Sequence, residues 1–172
     1  MIVVMGIDPG VASTGFGVVQ VAGGKMSAVD GGVIEAAPGE PAEGRLTRIH
    51  DAIAELLSRH QPVAVALEDV YFGKNVRSAI AVGQARGVAL LAAGQRGVPC
   101  FGYTPQAVKM AVCGSGAAAK SQVQRMVGTL LGLPEPPQSD HASDALGVAI
   151  CHAGHARLAQ ALEASEPEVR VG

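Results

Sequence analysis

The run IVVMGID at residues 2–8 constrains the fold most. Its residues are apolar at consecutive rather than alternating positions, so the strand they form must be covered on both faces. Strands of that kind sit inside sheets that carry helices above and below. The run ends on Asp8, a Pro-Gly turn and a small hydroxyl-bearing loop follow, and apolar residues resume at FGVVQVA (16–22). Taken alone, Asp8 and its turn allow three readings: a nucleotide-phosphate loop, a metal site, or a simple chain reversal.

The rest of the chain supplies the layers. Gly23-Gly24 reads as a hairpin turn joining FGVVQVA to MSAVDGGVIEAA (26–37), which makes the start a three-stranded antiparallel meander. The period then changes: Leu46, Ile49, Ile53, Leu56 and Leu57 share one helical stripe, which Pro62 ends. VAVALED (63–69) reads as a fourth strand, residues 75–97 as an Ala- and Gly-rich helix, and VPCFGY (98–103) as a fifth strand. TPQAVKMAV (104–112) predicts a helix with Thr104 at its N-cap and Pro105 in its first turn. A Gly114–Gly116 loop leads into another helix, and residues 140–164 form the last one. The expected architecture is an α/β layer fold with a five-stranded mixed sheet flanked by helices. Its 172 residues suit one domain, placed at 1–163, with a frayed tail at 164–172.

Several classes fall away. The longest apolar stretches, such as VALLAA (88–93), fall far short of the ~20 residues of a membrane span. The opening residues lack the basic start and cleavage site of a secretory signal, so a soluble cytoplasmic protein with no membrane contact is expected. Cys100, Cys113 and Cys151 form no disulfide framework and read as buried free thiols. Cys151, His152 and His155 fit no standard zinc spacing. The net charge of −2 means that any binding to nucleic acid must come from a local basic patch.

The chemistry rests on acids. Asp8 and Glu68 each close a buried apolar strand; if those strands are parallel neighbours, both carboxylates emerge at one sheet edge, where open α/β sheets bind ligands. The last helix opens on Asp140, His141 and Asp144, and positions three or four apart share a helix face. Asp140 also suits an N-cap, where the helix dipole favours an acid. The apolar run behind them must dock on the sheet, which draws the helix start toward Asp8 and Glu68. Together Asp8, Glu68, Asp144 and His141 make an oxygen-rich cluster with one imidazole. Crowded carboxylates raise one another's pKa unless a cation compensates. Mg²⁺ or Mn²⁺ suits such donors, imidazole moving the preference toward Mn²⁺. Two ions about 4 Å apart can activate water and stabilise the leaving oxygen of a phosphodiester.

The stretches GIDPG with TGFGVV, LEDVYFGKN, GQARGV, VKMAVCGSGAAAKSQVQRMV and SDHASDALGVAI resemble, in that order, the bacterial RuvC family, Holliday junction resolvases of the RNase H-like fold. The resemblance runs from about residue 2 to 155. It places the family's catalytic and metal-binding positions on Asp8, Glu68, His141 and Asp144, with His141 standing where an aspartate is commoner; a contribution from Asp140 stays open. It implies a homodimer on four-way junction DNA and symmetric paired nicks that leave 5′-phosphate and 3′-hydroxyl ends. It also implies two Mg²⁺ or Mn²⁺ ions per site and partnership with the RuvA–RuvB branch-migration complex.

The binding surface follows from the same stretches. Tyr71 aligns with the family's base-stacking aromatic, and Phe72 is beside it. Lys74 and Arg77 follow, while Lys109, Lys120 and Arg125 flank the Gly114–Gly116 loop, a basic cluster suited to phosphates. Gly83 and Gly87, four apart on one helix, either pack that helix on its own sheet or form a two-fold interface. Two other classes remain. One is an actin-like or sugar-kinase-type ATPase that uses the Asp8 loop for phosphate, but no second Asp-Gly loop is present. The other is a non-catalytic junction-binding module, which would tolerate loss of Asp8, Glu68 and Asp144.

Overall fold

The structure, a computed structural model, describes residues 1–10, 12–69 and 76–165, with side chains up to residue 156. Chain order runs β1 (Ile2–Asp8), β2 (Ser13–Ala22), β3 (Lys25–Glu35), α1 (Ala42–His60), β4 (Ala64–Glu68), α2 (Val76–Gly94), β5 (Cys100–Tyr103), α3 (Pro105–Cys113), α4 (Lys120–Leu131) and α5 (Asp140–Ser165). The five strands form one mixed sheet in the order β3-β2-β1-β4-β5. β1 pairs antiparallel with β2 and parallel with β4, and β5 continues the parallel side. Helix α5 reaches two residues into the expected tail; the remainder of that tail lies outside the described residues.

The continuous apolar run of β1 is central, as its pattern requires. Met5 and Ile7 point to one face, into a core with Ile49, Ile53, Leu57 and Ala89 from α1 and α2. Val4 points to the other, among Val108, Val127, Val148 and Ala149 from α3, α4 and α5. In β4, Val65 and Leu67 join the α1–α2 core and Ala66 the α5 core. Strand alternation therefore turns Asp8 and Glu68, the next residues in each series, toward α5.

That face depends on how closely α5 approaches the sheet. A methyl group added at Gly6 would overlap the carbonyl oxygen of Ala145, and one at Gly15 the carbonyl oxygen of His141. Glycines at these two positions let helix backbone lie against strand backbone. Ala142, Ala145, Leu146, Ala149 and Ala153 then fill the contact with small or flexible side chains, all 7% exposed or less.

Local chemistry explains several boundaries. Thr104 caps α3 as expected, its Oγ1 accepting from the Ala107 N–H at 3.1 Å. Gly114 is left-handed (φ 71°) and closes α3 rather than opening the next helix, which starts at Lys120 behind an extended Ala119. At α5 the cap is Ser139, not Asp140: the Ala142 N–H donates to Ser139 Oγ at 3.4 Å, and Asp140 is the first helical residue. Ile49, Ile53, Leu56 and Leu57 are buried in α1, whereas Leu46 is only half-buried. Cys151 is a buried free thiol, but Cys100 and Cys113 are only partly covered. Cys100 opens an edge strand and Cys113 ends a helix, so neither is enclosed on all sides. Among the described residues, no helix is long and apolar enough to cross a membrane.

The close approach generates a contrast between three glycines. Gly6→Ala and Gly15→Ala are each expected to destabilise by about 1–3 kcal/mol or more, because the added carbon meets backbone that cannot rotate away. Gly154 lies on α5 with nothing within 4 Å of an added Cβ. Gly154→Ala is expected to be neutral or to stabilise by up to about 1 kcal/mol through helix propensity. Urea denaturation of the three proteins reads the difference directly.

Candidate active site

The parallel register that pairs Ile7 with Leu67 sets the ends of β1 and β4 side by side. Asp8 and Glu68 thus leave the sheet at one edge and on one face. Helix α5, held down on Gly15, brings His141 to the same place: its Nδ1–H donates to Asp8 Oδ2 at 2.8 Å. A carboxylate only accepts, so this bond puts a hydrogen on Nδ1; in the neutral imidazole the other nitrogen, Nε2, then carries the lone pair. Asp144 lies one turn further along α5, on the same side of the helix.

The electrostatics are those of crowded acids. Burial pushes the Glu68 carboxyl up to about 7, and the negative charges of Asp8 and Asp144 and a hydrogen bond with Asp8 push the same way. Burial also raises Asp144, against the pull of Lys120. The Lys120 ammonium contacts Asp140 at 3.1 Å and Asp144 at 3.5 Å. Burial works against its charge, but these two acids outweigh burial and raise its pKa. Asp8 therefore has a hydrogen bond from His141 and Asp144 an ion pair with Lys120, while Glu68 has no cationic partner in contact among the described hydrogen bonds and ion pairs.

Among the described residues, no three His, Cys, Asp or Glu side chains are already drawn together as a metal-ligand group. The donor set nevertheless fits a hard divalent cation. It offers carboxylates from Asp8, Glu68 and Asp144 and one free imidazole nitrogen. Glu68, whose carboxyl is pushed up to about 7, is the acid whose charged form a cation would favour most.

Beside the acids is a cleft of about 140 Å³ lined by Glu68, Asp144, Lys109 and Lys120, with Pro105, Val108 and Val123 as an apolar wall. It is smaller than the ~300–1,000 Å³ of small-molecule pockets. Lys109 and Lys120 both line this cleft. Arg77 is exposed in the first turn of α2 and Arg125 is exposed on α4; neither lines the cleft. Tyr71, Phe72 and Lys74 lie outside the described residues. Gly83 and Gly87 face open space, with nothing within 4 Å of an added Cβ, so they do not pack α2 on its own sheet. They share the exposed side of α2 with Val76, Ile80 and Leu91, which are 69%, 58% and 55% exposed.

The double pairing of Lys120 is absent from the sequence reading. A signal for it exists: a lysine in the first turn of a helix opposes the helix dipole, so other acids must hold it there. Asp140 serves that lysine and takes no part in the Asp8–His141 contact.

Known proteins align with this arrangement. The family model described as crossover junction endodeoxyribonuclease RuvC matches residues 4–152. A protein of that name from Pelotomaculum thermopropionicum is 51% identical over 152 residues, covering 88% of this chain and 93% of its own. Another, from Rubrobacter xylanophilus, is 47% identical over 165 residues, covering 96% and 92%. The solved structure of Thermus thermophilus RuvC in complex with Holliday junction substrate superposes with a TM-score of 0.88 at 44% identity, covering 92% of this chain and 97% of that one. With the RNase H-like architecture, the matched length and these identities in agreement, the chain belongs to the RuvC family of crossover junction endodeoxyribonucleases.

Proposed function

We propose that this protein resolves four-way DNA junctions in the cytoplasm by paired, symmetric, metal-dependent nicks that leave 5′-phosphate and 3′-hydroxyl ends. The observation that carries the reading is the meeting of Asp8, Glu68 and the His141–Asp144 face of α5 at one sheet edge, beside a small cleft lined by two lysines. Residues 1–163 act as one nuclease domain. Asp8, Glu68, His141 and Asp144 are the ligands for two Mg²⁺ or Mn²⁺ ions. When bound, such ions supply water activation and charge stabilisation at the leaving 3′-oxygen. The chain's own groups do the rest. Asp8 orients the His141 ring through Nδ1. Lys109 and Lys120 hold the scissile phosphate against the carboxylates, and Lys120 can exchange Asp140 and Asp144 for it. Tyr71 stacks on an unpaired base, with Phe72, Lys74 and Arg77 along the flanking strand.

A symmetric pair of cuts needs two copies. The exposed side of α2, with Gly83, Gly87, Ile80 and Leu91, suits a two-fold contact in which each patch meets its copy. The RuvA–RuvB complex is the proposed partner at the junction. The ATPase-like reading lacks a second Asp-Gly loop, and the intact acids oppose a purely binding role.

Asp8→Asn and Glu68→Gln are expected to abolish nicking of mobile and fixed junctions in Mg²⁺ and in Mn²⁺ while leaving junction binding intact. Mapping the nicks to the nucleotide on denaturing gels tests this, and nicking by folded Glu68→Gln protein would sink the assignment. A pH dependence follows from Glu68. Its folded pKa, about 7, lies above the ordinary carboxylate value, so the stability it contributes without metal is full at low pH. That contribution declines as pH rises from about 4.5 through about 7. Thermal melts in chelator should show Tm falling over that window, less steeply in Glu68→Gln, and Mn²⁺ should raise Tm more at pH 8 than at pH 5.5. Gly87→Glu, which sets a charge on the exposed side of α2, is expected to shift the protein from dimer to monomer in sedimentation velocity.

A further inference from the structure

Glu68 is pressed by its surroundings to leave. Burial disfavours its charge, and Asp8 and Asp144 repel it. A carboxylate in that position stays aimed at its neighbours only if the backbone beneath it cannot turn, so the fixing of that backbone matters.

Two contacts fix it. On one side the Asp69 N–H donates to the Tyr103 carbonyl at 2.8 Å, extending the β4–β5 ladder one residue past Glu68. On the other, Arg86 reaches across from α2. Its Nη1 donates to the Glu68 carbonyl oxygen at 2.7 Å, and its Nη2 to Asp69 Oδ1 at 3.0 Å. The planar fork of a guanidinium spans consecutive acceptors in a way an ammonium cannot. The Arg86 side chain is 23% exposed, so solvent screens the contact only in part. The place for this fork is built into the sheet. At Gly102 on β5 an added Cβ would overlap Asp69 Oδ1 and lie 3.2 Å from Arg86 Nη2. Among the described hydrogen bonds, Arg86 takes the Glu68 carbonyl and not its carboxylate, so it acts through the main chain.

We propose that Arg86 is a positioning residue for Glu68: by clamping the Glu68 carbonyl and the Asp69 carboxylate together, it fixes the direction in which the Glu68 side chain leaves the strand toward Asp8. This rests on the reading of Glu68 as a metal ligand. Groups that orient a ligand typically change metal affinity or activity by 10–100-fold when removed.

The test is Mn²⁺ binding to the full-length, metal-free protein, followed by the EPR signal of free Mn²⁺. It is paired with junction nicking against Mn²⁺ concentration, junction binding in chelator, and thermal melts. Arg86→Ala is expected to weaken Mn²⁺ binding about 10–100-fold and to move half-maximal nicking to correspondingly higher Mn²⁺. Nicking at saturating Mn²⁺ should recover to within a few-fold of wild type, with junction binding unchanged. Arg86→Lys, which keeps one of the two contacts, and Asp69→Asn should fall between Arg86→Ala and wild type. Arg96→Ala, an exposed arginine after the same helix, should match wild type. A folded Arg86→Ala protein with wild-type Mn²⁺ affinity, or with only a lowered Tm, overturns the proposal. If Arg86→Ala does not fold, wild-type affinity in both Arg86→Lys and Asp69→Asn overturns it. Glu68→Gln separates the two levels. Undiminished Mn²⁺ binding there removes the ligand reading itself, whereas loss there with wild-type Arg86 variants removes only the role of Arg86.

Discussion

The structure depends on backbone meeting backbone where α5 crosses β1 and β2. Gly6 and Gly15 have no side chain, and the carbonyl oxygens of Ala145 and His141 occupy the space one would fill. The place of His141 and Asp144 in the site follows from that approach. The helix lies close enough for its alanines to seal one side of the sheet, and its first turn reaches the ends of the central strands. A helix held one methyl group further out would still be amphipathic and would still cover apolar surface. It would not bring His141 Nδ1 to 2.8 Å from Asp8.

Closeness has an electrostatic cost, and the chain distributes it unevenly. Of the three acids, Asp144 is matched by a lysine and Asp8 by an imidazole hydrogen bond. Glu68 carries the remainder as a carboxyl pushed up to about 7. This is the pattern expected where acids are gathered to serve a cation that the protein does not itself supply. A merely structural cluster would be more stable with one acid replaced by an amide. Lys120 fits the same logic: its position against Asp140 and Asp144 keeps a positive charge beside the acids, in the lining of the cleft.

How much of this could be read in advance depended on whether a property is local or belongs to packing. The unbroken apolar run of β1 implied coverage on both faces, and the layers are there. The likeness of the ends of β1 and β4 placed Asp8 and Glu68 together, because parallel neighbours share an edge. Helical spacing left Asp144 to share a face with His141, Asp140 or both, and the family resemblance chose His141. What escaped were contacts between elements distant in sequence. Lys120 looked like a free basic residue, since nothing local says that α4 starts beside α5. Arg86 lay unremarked within GQARGV, because its partners are carbonyl and carboxylate oxygens 17–18 residues away. Cys100 and Cys113 were expected to be buried on composition alone, and position decided otherwise: an edge strand and a helix end leave a side chain half-covered. Ser139 displaced Asp140 as the cap by one residue, an error within the ordinary uncertainty of helix ends.

The histidine at position 141 is best understood through the same balance. A fourth carboxylate at this place would face Asp8 across hydrogen-bonding distance and add its repulsion to a cluster that already forces Glu68 up to about 7. An imidazole adds no negative charge in either protonation state, and through Nδ1 it gives Asp8 a donor instead of a rival. A chain with His141 therefore spares this cluster a further negative charge and gives Asp8 a hydrogen-bond donor. Asp140 returns an acid to the neighbourhood without returning it to the cluster, because it is exposed and engaged with Lys120.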